Sequence, residues 1–176
     1  MGWISPVPFL LDVTDESESF KTMREGHTGL PVAPHPGSFG FERKHHVHEG
    51  VDLYVPEGTP VHAVEDGTVV AIMPFTGFGA GSPWWHDTWA VMVKGESGVV
   101  LYGEIKPLLH LHGLGDVVRQ GEIIGHVTPV LKNDKGRPMS MLHLELYEHG
   151  VREPVEWLPG QPKPKGLLDP TAKLCG

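Results

Sequence analysis

His48 and Asp52 stand four residues apart in the segment HEGVD at 48–52, and His143 sits far downstream in the apolar run MLHLE at 141–145. Imidazole nitrogen and carboxylate oxygen are ordinary zinc donors. In a straight strand, residues four apart lie about 13 Å from each other on one face, too far to share a metal with bonds of about 2 Å. The chain must therefore fold back between them, and Gly50 is the residue type that allows such a bend. With 12 histidines in the chain, one His–Asp pair carries little information by itself. The order of features around it carries more.

The elements that hold these residues read as strands. Of 176 residues, 23 are Gly and 17 are Pro, the two types least at home inside helices. Between Gly50 and Val70, β-branched residues alternate with turn signals, the pattern of short hairpin strands. GTPV at 58–61 followed by GTV at 67–69 is echoed by GDVV at 115–118 followed by GHV at 125–127, with glycine spacings of nine and ten. One strand-turn-strand unit is thus repeated, which suits a small barrel-like sandwich of antiparallel strands. The one convincing helix spans 14–25, acidic at its start, basic later and stopped by Gly26. Residues 75–89, FTGFGAGSPWWHDTW, read as a flexible lid or a packed loop, with their tryptophans as loop-packing residues. The chain divides into an N-terminal extension at 1–36 with its short helix, a central domain at 37–158, and a proline-rich C-terminal tail at 159–176 expected along the surface.

A length of this order supports one self-sufficient core. Fourteen basic against 22 acidic residues give a net charge of −8, which argues against nucleic acid or an anionic membrane as partner. Cys175, the single cysteine, has no intrachain partner for a disulfide. The N-terminal stretch has no basic segment ahead of a long apolar run, so the expected location is cytoplasmic. No feature of the sequence speaks to oligomeric state.

From Gly37 to Pro154, about two-thirds of its length, the chain resembles the lysostaphin-type, or LytM-like, zinc peptidases that cut peptide cross-bridges in bacterial cell walls. The resemblance rests on the HxGxD segment at 48–52, the phrase GTPVxAxxDGxV at 58–69, a tyrosine-containing strand, the second hairpin and the late LHxE strand. It implies a duplicated-hairpin β fold, one zinc ion held by His48, Asp52 and His143 with a fourth position open for water, and a peptide or peptidoglycan-like substrate.

Two departures stand beside that agreement. The family phrases YxHL and HLHxE read here as Tyr102-Gly-Glu104-Ile105 and Met141-Leu-His143-Leu-Glu145, so both auxiliary proton-handling histidines are replaced. Methionine can neither donate a useful hydrogen bond nor move a proton. Glu104 is chemically adequate as the general base beside zinc-bound water. It could instead close the zinc site as a fourth ligand, or be a solvated strand residue. His86 is the candidate replacement proton donor should the tryptophan-rich loop fold over the site. His45 and His46 flank the first ligand and could support it, and Tyr102 and Glu145 complete the set of supporting or substrate-facing residues. His110 and His112 imitate the missing HxH, but they precede the second hairpin, where the family motif follows it.

A zinc-dependent hydrolase of peptide bonds is the leading expectation, and a catalytically silent zinc-binding module of the same fold is the alternative. Phosphocarrier domains share a similar HxGxD phrase, but there it comes late in the chain. A biotin or lipoyl carrier needs a lysine at a hairpin tip, which neither Glu65-Asp-Gly67 nor Arg119-Gln-Gly121 offers.

Overall fold

The computed structural model describes residues 2–16, 24–108 and 113–176. Strands β3 (Val51–Tyr54), β4 (Pro60–His62), β5 (Gly67–Thr76), β6 (Thr88–Gly95), β7 (Val99–Pro107), β8 (Val117–Val118), β9 (Ile123–Val127), β10 (Met141–Tyr147) and β11 (Leu167–Leu168) form one antiparallel sheet. Its main path runs β11-β10-β7-β6-β5-β8, with β3 on β10, and β9 joining β4 to β7. The expected antiparallel fold of paired hairpins is what forms, though the sheet is not closed into a barrel. The two copies of the repeat interleave: β4 pairs with β9 of the other copy, and β8 pairs with β5.

Strand alternation splits the apolar residues between two faces. On one face, Val51 and Leu53 of β3, Val100 and Tyr102 of β7, and Leu142, Leu144 and Leu146 of β10 join the larger core. On the other, Val99, Leu101, Met92, Ala90, Tyr147 and Leu167 form a second, smaller core. Leu142 and Leu144 are fully buried, and burial of a leucine contributes about 1.5–3 kcal/mol. They lock the register of β10 so that Met141, His143 and Glu145 all project from the second face.

A two-stranded parallel sheet of β1 (Leu10–Thr14) and β2 (His27–Pro31) precedes the main sheet. Thr28 ties it to β3 by donating from Oγ1 to the Tyr54 carbonyl at 2.6 Å. The helix expected over 14–25 meets the end of β1 at Thr14, and its centre, 17–23, lies outside the described residues. The α-helix that is described, α1 (Thr171–Leu174), lies near the C-terminus. The proline-rich tail is fastened to the sheet, with Leu167 buried on the β10 edge, and just before the tail Trp157 packs on the second core.

The tryptophan-rich loop is closed by its own hydrogen bonds. Thr76 Oγ1 donates to the His86 carbonyl at 2.7 Å, and Phe78 N–H to Asp87 Oδ1 at 3.0 Å. Trp85 bridges Leu131 of the β9–β10 connection, and Lys132 donates to the Pro83 carbonyl at 2.9 Å. It is thus packed, with Phe78 and Trp84 left exposed. Among the described residues no helix is long and apolar enough to cross a membrane.

Candidate metal centre

Cross-strand register brings the site together. His143 of β10 lies directly opposite Asp52 of β3, and Met141 opposite Tyr54. Side chains directly opposite on paired strands share a face. Asp52 and His143 are thereby forced together across 91 residues of sequence. His48 arrives from outside the strand: Gly40 N–H donates to the His48 carbonyl and His48 N–H to the Phe41 carbonyl, which fixes the approach of the 40–48 loop. The bend back to β3 falls at Gly50. A Cβ there would stand 2.4 Å from the Leu144 carbonyl and 3.0 Å from His143 Nε2, so only glycine lets the loop close over β10.

Three acceptor atoms then converge. His48 Nε2 is 3.2 Å from both Asp52 Oδ1 and His143 Nδ1, and His143 Nδ1 is 2.9 Å from Asp52 Oδ1. Ligands on a tetrahedral zinc ion stand about 3.3 Å apart. The far side of each ring is already committed. His48 Nδ1 donates to the Ser38 carbonyl at 2.9 Å, and a carbonyl can only accept, which leaves the lone pair on Nε2. His143 Nε2 donates to Glu145 Oε1 at 2.7 Å, which leaves Nδ1 facing inward. Glu145 is fixed in turn by the Tyr147 hydroxyl on its other oxygen. Two imidazole nitrogens and a carboxylate oxygen, all on buried residues, form a donor set that could hold a cation between them. The donor set fits zinc, and each ligand has the outer partner that fixes a metal-binding side chain.

The electrostatics agree. Burial penalises the charge on Asp52, but His48 and His143 outweigh it and hold the carboxyl well below its ordinary range. Burial works against charge on His143 too, yet hydrogen bonds to Asp52 and Glu145 raise it well above the usual imidazole value. Burial is the leading effect on His48 and lowers it. The anionic partners thus favour positive charge within the triangle.

Glu104 stands outside that triangle, since the three mutually close ligands are His48, Asp52 and His143. It occupies a bulge in β7: Ala90 pairs with Gly103 and Trp89 with Ile105, leaving Glu104 as the extra residue. Its backbone is left-handed, with φ 64°, rare for a side chain without a special reason. The bulge re-aims the side chain. Tyr102 and Ile105 both lie in the larger core, although residues three apart in a regular strand face opposite sides, so the extra residue is what lets both reach it. Its Oε2 is buried and has no hydrogen-bond partner among the described residues. Burial, then repulsion from Asp52, pushes the carboxyl up to about 8.

The other predicted residues separate cleanly. Glu145 supports His143 as above. Met141 is half-buried two residues before His143 and supplies no donor. Tyr102 points the other way, into the core, and its hydroxyl accepts the Val64 N–H at 2.9 Å. His46 is half-buried beside the site, held low by burial and by Arg43, while His45 is exposed. The His86 side chain is exposed and shares none of the site's hydrogen bonds. His110 and His112 lie outside the described residues.

Several contributors carry no motif. Arg43 Nη2 donates to Asp52 Oδ2 at 3.1 Å and so holds the oxygen that faces away from the triangle. The Phe75 ring lies 5.3 Å from that of His143, across Gly103, where a Cβ would meet it at 2.9 Å. Buried His35 accepts the Gly37 N–H on Nδ1 and faces the Tyr54 ring at 6.0 Å. A glycine between Tyr102 and Glu104 was the one sequence sign that something bulky crosses the strand there.

The catalytic domain of the antimicrobial peptidase lysostaphin from Staphylococcus simulans has a similar structure, at 17% identity and a TM-score of 0.55 over 93% of this chain and 100% of that one. CbpA from L. salivarius REN is similar at 22% identity and a TM-score of 0.50, over 80% and 84% of the two chains. A zinc-containing peptidase from Vibrio cholerae matches at 21% identity and a TM-score of 0.42, covering 62% of this chain and 29% of its own. The chain thus spans under a third of that protein's length, and 43% of an M23 structure from Pseudomonas aeruginosa. No curated protein matches the sequence. The model of Peptidase family M23 matches residues 46–155, from just before His48 to just beyond Glu145, and the chain belongs to that family of metallopeptidase-like hydrolases.

Proposed function

We propose that the protein is a zinc-dependent hydrolase of peptide bonds, acting on peptides of the cell-wall kind, with Glu104 as general base. The observation that carries this reading is the pairing of a buried three-acceptor triangle with a buried carboxylate oxygen, on Glu104, that has no partner. His48, Asp52 and His143 would hold the zinc ion. Bound there, zinc supplies Lewis-acid polarisation of the scissile carbonyl and makes water a stronger nucleophile at neutral pH. Glu104 accepts the proton of the attacking water and returns it to the leaving nitrogen. Its position outside the ligand triangle supports a base over a fourth ligand. Glu145 and Tyr147 keep the His143 ring oriented throughout.

Met141 favours the second reading, a silent zinc-binding module, because no side chain at that position can donate to the developing oxyanion. Loss of one such donor costs about 3 kcal/mol in the transition state, so the proposed enzyme is slow. Metal content and peptide cleavage measured on the same wild-type and Glu104→Gln preparations separate the two. The hydrolase reading expects wild-type turnover, and a variant that keeps zinc while turnover drops about a hundredfold or more. A wild type that binds zinc and cleaves nothing, or a variant that loses the metal, would leave the module.

A further inference from the structure

His35 is 1% exposed and has no part in the proposed reaction. It opens the turn His35-Pro36-Gly37-Ser38, which closes where the Ser38 N–H donates to the His35 carbonyl at 3.0 Å. Proline at the second position of such a turn presets its backbone. The three carbonyls that follow His35 are all taken by the metal centre. Pro36 accepts from Arg43 Nη2 at 3.1 Å, Gly37 from the Asp52 N–H at 3.0 Å, and Ser38 from His48 Nδ1 at 2.9 Å. Arg43 in turn donates to Asp52 Oδ2 at 3.1 Å.

Peptide planarity makes His35 the residue that aims these carbonyls. A planar trans peptide points its N–H and the preceding C=O in opposite directions, so fixing one fixes the other. The His35 ring accepts the Gly37 N–H on Nδ1 at 2.9 Å, which turns the Pro36 carbonyl toward Arg43. The His35 carbonyl accepts the Ser38 N–H, which turns the Gly37 carbonyl toward Asp52. It also accepts from Ser38 Oγ at 2.7 Å, holding the residue whose own carbonyl fixes the His48 ring. We infer that His35 is a positioning residue of the metal centre. Its ring and carbonyl set the turn that holds the His48 ring, the Asp52 backbone and, through Arg43, the outer oxygen of Asp52. This rests on the zinc site of the proposed function and is independent of turnover.

The test compares two replacements of similar shape, His35→Asn and His35→Leu, in the full chain. Both give up part of the ring, but the asparagine side-chain oxygen can accept the N–H two residues on, and leucine has no acceptor. Zinc affinity is measured by competition with a chelator, the geometry of the site by the visible absorption of the cobalt(II)-loaded proteins, and stability by melts of the metal-free proteins. His35→Asn should keep the wild-type cobalt spectrum and a zinc affinity within about threefold of the wild type. His35→Leu should bind zinc at least about tenfold more weakly, with an altered spectrum. A histidine that only filled space would leave the two variants alike in affinity and spectrum, whatever their melting temperatures. Should the leucine variant not fold, Ser38→Ala removes only the hydroxyl tie to His35 and should weaken zinc binding about fivefold. Equal zinc binding by the asparagine and leucine variants, a tenfold loss in the asparagine variant, or unchanged binding by Ser38→Ala overturns the inference. A wild type that takes up no zinc removes it together with the proposed function. The expected pattern of zinc binding without cleavage of any peptide by the wild type keeps it and removes the hydrolase reading.

Discussion

The ligand triangle and the β7 flank beside it are built to opposite standards. In the triangle every atom facing away from the centre has a partner: Ser38 for His48, Arg43 for Asp52, Glu145 for His143. On the flank, Glu104 holds a left-handed backbone, an extra residue in the ladder and a buried oxygen with no partner, while Met141 offers no polar group at all. Over-determined parts of a structure hold cofactors, and strained, unsatisfied parts are where chemistry is concentrated. On the proposed function, the contrast separates the residues that would bind from the one that would react.

Removing a ligand tests the triangle most severely. His143→Ala should abolish zinc binding and lower the stability of the loaded protein by more than about 3 kcal/mol, since it also leaves Glu145 without its charged partner. Elemental analysis and thermal melts read both, and retained zinc would mean that other groups form the site. Gly50→Ala probes the same region through the backbone. Its Cβ would meet the Leu144 carbonyl at 2.4 Å, so a loss of about 3 kcal/mol is expected with weaker zinc binding. Unchanged melting would show that the loop has room to move.

On the flank, the carboxyl of Glu104 predicts a pH effect in metal-free protein. It is raised from 4.5 to about 8 in the fold, so between those values the folded state keeps a proton that the unfolded state has released. Stability should therefore fall as pH rises through that window. Glu104→Gln should flatten the slope, and denaturant titrations at pH 5 and pH 8 would show it. An equal slope in both proteins would place the carboxylate in a better-solvated setting. The smallest effect belongs to the histidine pair elsewhere in the chain: changing His110 and His112 together to Ala should leave zinc content as it is.

The triangle was legible in the sequence and the flank only in part, for a physical reason. The resemblance implied His48, Asp52 and His143 as one set, and these sit on or beside strands whose period-2 alternation can be read, with Gly50 marking the bend. The repeat was legible as two copies, but their exchange of partners was not, because pairing across about 60 residues leaves no local mark. Glu104 could be picked as a departure from a motif, while its bulge could not. One inserted residue only shifts the alternation, and Tyr102 to Ile105 reads equally well as an ordinary strand. Arg43 lies in a turn, where charge is expected and its partner cannot be inferred. The helix expected at 14–25 followed charge and capping signals; Thr14 ends β1, and 17–23 lie outside the described residues.

The interleaved repeat also constrains how the molecule is assembled. Neither copy can complete its sheet alone, because the partner of each short strand is supplied by the other. A chain ended before residue 115 would carry β4 and β5 with unpaired backbone along their edges, the kind of surface that recruits other chains. Folding must wait for contacts between distant segments and be correspondingly slow. The candidate metal ligands obey the same timing: Asp52 has no His143 opposite it until the second copy has closed on the first.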